Sequence, residues 1–281
     1  MDAFAPFEFV QRKPSPRLAD LVSRITGYRE SLCGGVSQRE AADLVVPLIV
    51  SLGSPFRIAL SRAPLASDRQ PSFVAGLHAG PVHIQSDGGA ECVQIDFTPL
   101  GAYRVFGGAV IGLADRMVDI ADVFGHDGRR LRERLGATRS WRRRFDIVED
   151  FVACRALRQP SPEIAFAYRS LARGGGGARI ASLAEDIGWS RKHLAQRFRN
   201  EIGLPPKSVA RVMRFQRACG LAWADDHGGW AMIAADSGYA DQAHLAREFA
   251  ALAGETPVAW ARRMQLTGNR PSRAADLGAD W

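Results

Sequence analysis

The chain has 281 residues, enough for two ordinary domains with real cores. A formal net charge of +7 and a pI near 9.7 favour polyanionic partners, and arginine carries nearly all of the positive charge because Lys13, Lys192 and Lys207 are the only lysines. MDAFAPFEF lacks the charged start and apolar run of a signal peptide and no apolar segment approaches the length of a membrane span, so a cytoplasmic protein with no membrane partner is expected.

Residues 1 to about 98 read as β-rich. Apolar runs of strand length, 44–52, 56–60, 73–78 and 91–97, are separated by turn-forming segments such as GSP and SDGGA. The last run alternates Cys92, Gln94 and Asp96 with Val93, Ile95 and Phe97, as expected of a strand in a small sandwich or barrel. Four widely spaced cysteines, Cys33, Cys92, Cys154 and Cys219, form no CxxC pair and predict neither a zinc site nor a disulfide framework. Cys33 and Cys92 have no evident neighbouring base and read as structural cysteines rather than redox sensors. His78 and His83, placed on opposite faces if both lie in one strand, do not complete a metal site, and no cofactor is expected.

From Thr98 the period becomes helical, Thr-Pro being a ready helix start. Leu131 and Leu135, then Trp141, Phe145, Val148 and Val152, form the stripes of an amphipathic pair. Around them lie Arg129, Arg130, Arg132, Arg134, Arg139, Arg142, Arg143 and Arg144, read as solvated faces answering Glu133, Asp146, Glu149 and Asp150, with an auxiliary phosphate contact as the alternative. Prolines near residue 159 mark a domain boundary. Ser161-Pro162 opens another helix to about Arg173, and Gly174 to Gly177 is read as the most flexible stretch.

The segment 180–207 carries the clearest chemistry. A short helix, 181–187, ends at Gly188, and Ser190 caps a second helix that buries Leu194 and Phe198 and turns Lys192, His193, Gln196, Arg199 and Asn200 outward. This donor-rich face, with no carboxylate before Glu201, suits an anionic, hydrogen-bonding groove in a helix-turn-helix. The arrangement recurs. Residues 231–236 form a short helix, Gly238 a turn, and 241–253 a second helix burying Leu245 and Phe249, with Ala243, His244, Arg247, Ala250 and Ala251 outward. Between the units a helix of some 18 residues, from about 206 to 224, would span ~27 Å, compatible with major-groove faces that recur every ~34 Å. After Trp260 the chain reads as a frayed tail.

These segments, LAEDIGWSRKHLAQRFRNEIGLPPK, MRFQRA and IAADSGYADQAHLAREFAALAGETPVAW, resemble the DNA-binding domain of the AraC/XylS family of bacterial transcription regulators. The resemblance covers about 161–263 and implies an α+β chain. Residues 1–158 would be a β-rich, cupin-like sensor or dimerisation half with a helical end, 159–264 an all-α domain with two helix-turn-helix units on a long helix, and 265–281 a flexible tail. It implies base reading of double-stranded DNA by Lys192, Ala195 and Gln196 in the first helix and by Gln242, Ala243, His244 and Arg247 in the second. Phosphate contacts are expected from Ser190, Arg191, Arg197, Arg199 and Arg214. Three positions depart from the family: Ala195 and Ala243 offer only a methyl, and Ala240 replaces a frequent serine cap, passing the helix start to Asp241. The first unit is expected to carry most base recognition, with the second anchoring phosphates around Arg247 and His244.

By the same resemblance the chain acts on the nucleoid as a homodimer, engages RNA polymerase and responds to a small-molecule effector or a protein partner. The competing class is an enzyme, either a cupin-type catalyst or a cysteine-using DNA-repair methyltransferase fused to such a domain. The missing metal cluster speaks against the first and the missing cysteine zinc set against the second, so no enzymatic role is expected.

Overall fold

A computed structural model describes residues 7–30, 35–224 and 228–267. Cys33 and most of the expected tail lie outside the described residues.

The first half is built in three layers. One sheet takes β1 (Phe7–Arg12), β2 (Val22–Glu30), β9 (Glu91–Phe97), β4 (Val46–Ser51), β7 (Ser72–Ala75) and β10 (Met117–Asp119), in that spatial order. A second takes β3 (Ser37–Glu40), β8 (Val82–Gln85), β5 (Phe56–Leu60) and β6 (Arg69–Gln70). All pairings are antiparallel. Ile49, Phe73 and Cys92 of the larger sheet meet Ile58 of the smaller in a compact apolar layer. The opposite face of the larger sheet carries Leu48, Val50, Val74, Val93, Ile95 and Phe97 into the main core beneath the helices. The alternation read in β9 is therefore a division between two cores, with Cys92 facing the other sheet and Val93 facing the helices. Burial among apolar side chains pushes the Cys92 thiol up to about 12, which leaves it unreactive near neutrality.

Strands β1, β2, β3, β6, β8 and β10 lie outside the four runs read from sequence. Four of them have only two to four residues, and β3 (SQRE) is polar throughout, so its strand character comes from pairing with β8 rather than from its own pattern. His78 and His83 do not share a strand either: His78 follows β7 and His83 lies within β8, with a turn between them.

Among the described residues five α-helices complete this half: α1 (Pro99–Phe106), α2 (Val110–Leu113), α3 (Ile120–Phe124), α4 (His126–Gly136) and α5 (Trp141–Ala153). Thr98 caps α1 by accepting from the Gly101 amide. The arginine cluster of α4 and α5 is not answered as expected. Asp146 pairs with Arg12 at 2.6 Å, Asp150 with Arg17 at 2.8 Å, and Glu149 accepts from the Ser15 amide, so the acids of α5 hold the N-terminal segment. Arg144 alone of the cluster is buried. It bonds Glu91 at 2.5 Å and the carbonyls of Leu135 and Thr138, with its guanidinium over the Trp141 ring.

The second half contains α6 (Pro162–Arg173), α7 (Ile180–Ile187), α8 (Arg191–Ile202), α9 (Pro206–Trp223), α10 (Trp230–Asp236), α11 (Gln242–Ala253) and α12 (Pro257–Thr267). The stretch read as a tail after Trp260 is thus the body of α12, fixed by Trp260 packing on Phe249. The four-glycine run is also ordered. Gly175 and Gly176 take left-handed conformations, the amides of residues 174–177 bond Ser170, Ala172, Leu171 and Gly174, and a Cβ at Gly176 would lie 2.1 Å from the Ala210 carbonyl oxygen. Glycine there permits close packing of the turn on α9 rather than mobility.

Candidate DNA-reading surface

Each helix-turn-helix unit is set by local capping. Gly188 closes α7 at φ 76°, and Ser190 opens α8 by accepting from the His193 amide at 3.2 Å. In the second unit Gly238 is left-handed at φ 77°, and Asp241 opens α11 by accepting from the His244 amide at 2.6 Å. The carboxylate of Asp241 is thereby turned to its own helix end, where the dipole favours a negative charge. Both units share one spacer: Phe215 of α9 meets Phe249 edge-on, while Leu194 and Phe198 of α8 are fully buried in the same core.

The outward faces differ. On α8, Arg191, Lys192, His193, Gln196, Arg197 and Arg199 are exposed, and Ala195 is half-buried between them and the core. The Gln196 amide donates to Asn200 at 2.9 Å, one turn on, which orders both side chains along the helix. Arg197 leans back to Glu201 at 3.0 Å, and the Ser190 hydroxyl is engaged as a cap. On α11, Gln242, Ala243 and Arg247 are exposed and His244 is half-buried with its ring 5.2 Å from Tyr239. The one acid of α11, Glu248, is drawn to Arg211 of α9 at 2.7 Å and so faces the spacer. Arg214 lies further along α9 and donates to the Gly176 carbonyl at 3.0 Å.

Sequence reasoning missed what holds these helices. Glu201, the carboxylate ending the basic run of α8, is 4% exposed and accepts from the Ser161 amide at 2.7 Å and the Ser161 hydroxyl at 2.9 Å, tying the end of α8 to the start of α6. Ser161 makes no side-chain cap of its own helix. Also missed were contacts with the first half. Helix α8 packs against α1 and α2, with Val110 beside Gly203. The Ala42 amide bonds the Leu252 carbonyl at 2.8 Å, Arg39 donates to the Gly254 carbonyl at 2.9 Å, and Gln216 of α9 donates to Asp43. Such long-range pairings leave no local signal.

Among the described residues no group of three or more His, Cys, Asp or Glu side chains could hold a metal ion, and no helix is long and apolar enough to cross a membrane.

Residues 183–263 match the helix-turn-helix domain family. Solved structures similar to this chain include ToxT from Vibrio cholerae, at 10% identity over 92% of this chain and 98% of that one with a TM-score of 0.45. Another is the unsaturated fatty acid-bound form of ToxT, at 10% identity over 93% and 100% with a TM-score of 0.45. The AraC-like transcriptional activator CuxR is similar at 16% identity over 76% and 86%, with a TM-score of 0.31. No curated relative matches. Residues 183–263 therefore form a helix-turn-helix domain, the part of the chain fitted to bind DNA.

Proposed function

We propose that α8 and α11 enter adjacent major grooves of one operator, with α8 supplying most of the sequence choice. The observation that carries this reading is the pair of capped helices on a single spacer whose exposed faces are unequal in donors. Lys192 and Gln196 would read base edges, with Ala195 against a thymine methyl. Gln242, Ala243, His244 and Arg247 would occupy the second groove, Arg247 being the only cation on that face. Arg191, Arg199 and, where its bond to Glu201 permits, Arg197 would contact phosphates, as would the helix start at Ser190. Arg214 would act from the spacer while keeping its bond to the Gly176 turn.

We further propose that the first half controls this reading, acting as a sensor and homodimerisation unit, and that promoter-bound protein engages RNA polymerase. Support for control comes from the seam: α8 rests on α1 and α2, and the loop after α11 rests on Arg39, so a shift in the first half is felt at both reading helices.

The test is operator binding by Lys192→Ala, Gln196→Ala and Arg247→Ala. The first two should lose about 1–3 kcal/mol and relax preference at one half-site. Arg247→Ala should weaken binding across sequences and flatten the salt dependence. Unchanged affinity and unchanged footprints for all three would reject this surface.

A further inference from the structure

Outside the reading surface, three loops of the first half bring together Ser61, His78 and Asp115. The Ser61 hydroxyl lies 2.9 Å from His78 Nε2, and His78 Nδ1 lies 2.7 Å from Asp115 Oδ1. An ionised carboxylate only accepts, so in the neutral ring Nδ1 carries the hydrogen and Nε2 is left to accept from the serine. This is the order of groups that turns a hydroxyl into a nucleophile: base within reach of the hydroxyl, and base oriented by an acid.

Two further observations set the cluster apart from a chance surface contact. Ser61 and Asp115, the two ends of the relay, are the only non-glycine residues with positive φ among the described residues, both at 56°. For residues with a side chain this conformation costs about 1–2 kcal/mol each, and such outliers gather at functional sites. Gly80 is equally specific: a Cβ there would fall 2.6 Å from the Ser61 hydroxyl and 2.7 Å from His78 Nε2, so any larger residue would break the contact. The relay is not needed to join the loops. Backbone bonds from Ser61 to Pro81, from Asp115 to Leu77 and from Gly76 to Arg116 already do so.

We propose that Ser61 is an activated nucleophile and a covalent modification site that takes an acyl group from small activated esters. In the step, the bond from Ser61 Oγ to the acyl carbon forms as the ester carbon–oxygen bond breaks. The hydroxyl proton passes to His78 Nε2 and then to the departing alkoxide or phenolate, and nothing is oxidised or reduced. The backbone of Gly80 packs against the Ser61 hydroxyl, and its amide, with that of Arg62 next in the chain, would be the donors for the developing oxyanion. Ser61 is exposed to an incoming ester, and the Asp115 side chain is 59% exposed, so its charge is screened and activation is moderate. Single acylation, rather than rapid turnover, is the expected chemistry.

The test treats the full chain with p-nitrophenyl acetate and maps acetylation by mass spectrometry. The native protein should gain one acetyl group at Ser61, and Ser61→Ala none at that peptide. His78→Gln should slow labelling ~100-fold, as for loss of a general base. Asp115→Asn should slow it by about 10-fold, given the exposure of the acid. The same native chain unfolded in urea should lose the selectivity for Ser61, a control that requires no variant to fold. Labelling at Ser61 that is as fast in His78→Gln or in urea as in the native protein, or no labelling there at all, overturns the proposal.

Discussion

Replacement of Glu201 by alanine should cost about 2–4 kcal/mol of stability, because this carboxylate is buried at the junction of α6 and α8 and its partners cannot all find new acceptors. The Ser161 amide, donating at 2.7 Å, is left as an unsatisfied helix-start donor, costing about 1–3 kcal/mol, and two further bonds, from the Ser161 hydroxyl and Arg197, are lost with it. Arg197 is 45% exposed, so Arg197→Ala should cost only about 0.3–0.5 kcal/mol, as for a solvent-screened pair one turn apart. Glu201→Gln keeps an acceptor for Ser161 and should fall between the two. Urea unfolding followed by tryptophan fluorescence reads the series. With a slope of about 1–3 kcal/mol per molar, the alanine variant should shift the midpoint by on the order of 1 M or more. A Glu201→Ala midpoint within 0.2 M of the native value, or equal losses for Glu201→Ala and Arg197→Ala, would refute the assignment of Glu201 as the anchor of the first reading helix.

Asp241→Asn keeps the cap of α11 but removes a negative charge from the end that the proposed docking turns to DNA, so operator affinity should rise several-fold at low salt and the helix should remain intact; a fall in affinity in a titration at fixed salt would contradict that placement. Gly176→Ala places a Cβ 2.1 Å from the Ala210 carbonyl oxygen at a left-handed position and should destabilise by about 2 kcal/mol or more in the same urea assay, whereas a flexible linker would tolerate it. Glu91 supplies a pH dependence. Burial raises its pKa, but hydrogen bonds from Arg29 and Arg144 outweigh this and leave it below the usual carboxylate value. A carboxyl depressed in the folded state contributes stability above its unfolded pKa and loses it as pH falls through the folded one. The native chain should therefore lose stability on acidification below about pH 4.3, and Glu91→Gln should be less stable at neutral pH with a shallower acid slope.

What could be read in advance divides along the range of the forces involved. Helices α7, α8 and α11 announce themselves because Gly188, Ser190 and Asp241 act on amides within a few residues. The apolar stripe Val209, Val212, Phe215, Cys219 and Ala222 likewise marks one face of α9, and all of it but Ala222 is buried, since period and burial belong to one element. Strand β3 carries no such mark, its order coming from β8 more than forty residues away. The glycine run shows the opposite failure: composition alone suggests freedom, yet Arg214 and Ala210 of α9 hold the turn closely. In the arginine cluster the charges were counted correctly but the acids of α5 were assigned to the wrong partners, because Arg12 and Arg17 approach from the other end of the chain. Ser61, His78 and Asp115 are separated by 17 and 37 positions, and only the three loops bring them into line.

The seam between the halves has a bearing on how such a regulator changes over generations. The first reading helix is supported at Val110 and Gly203, the second at Arg39 and Gly254, and these supports lie on different elements of the first half. On the proposed reading, each half-site preference is thus exposed to its own set of supporting substitutions. A lineage can retune one groove contact while the other stays put, so operators inherited from a common ancestor should diverge in one half before the other.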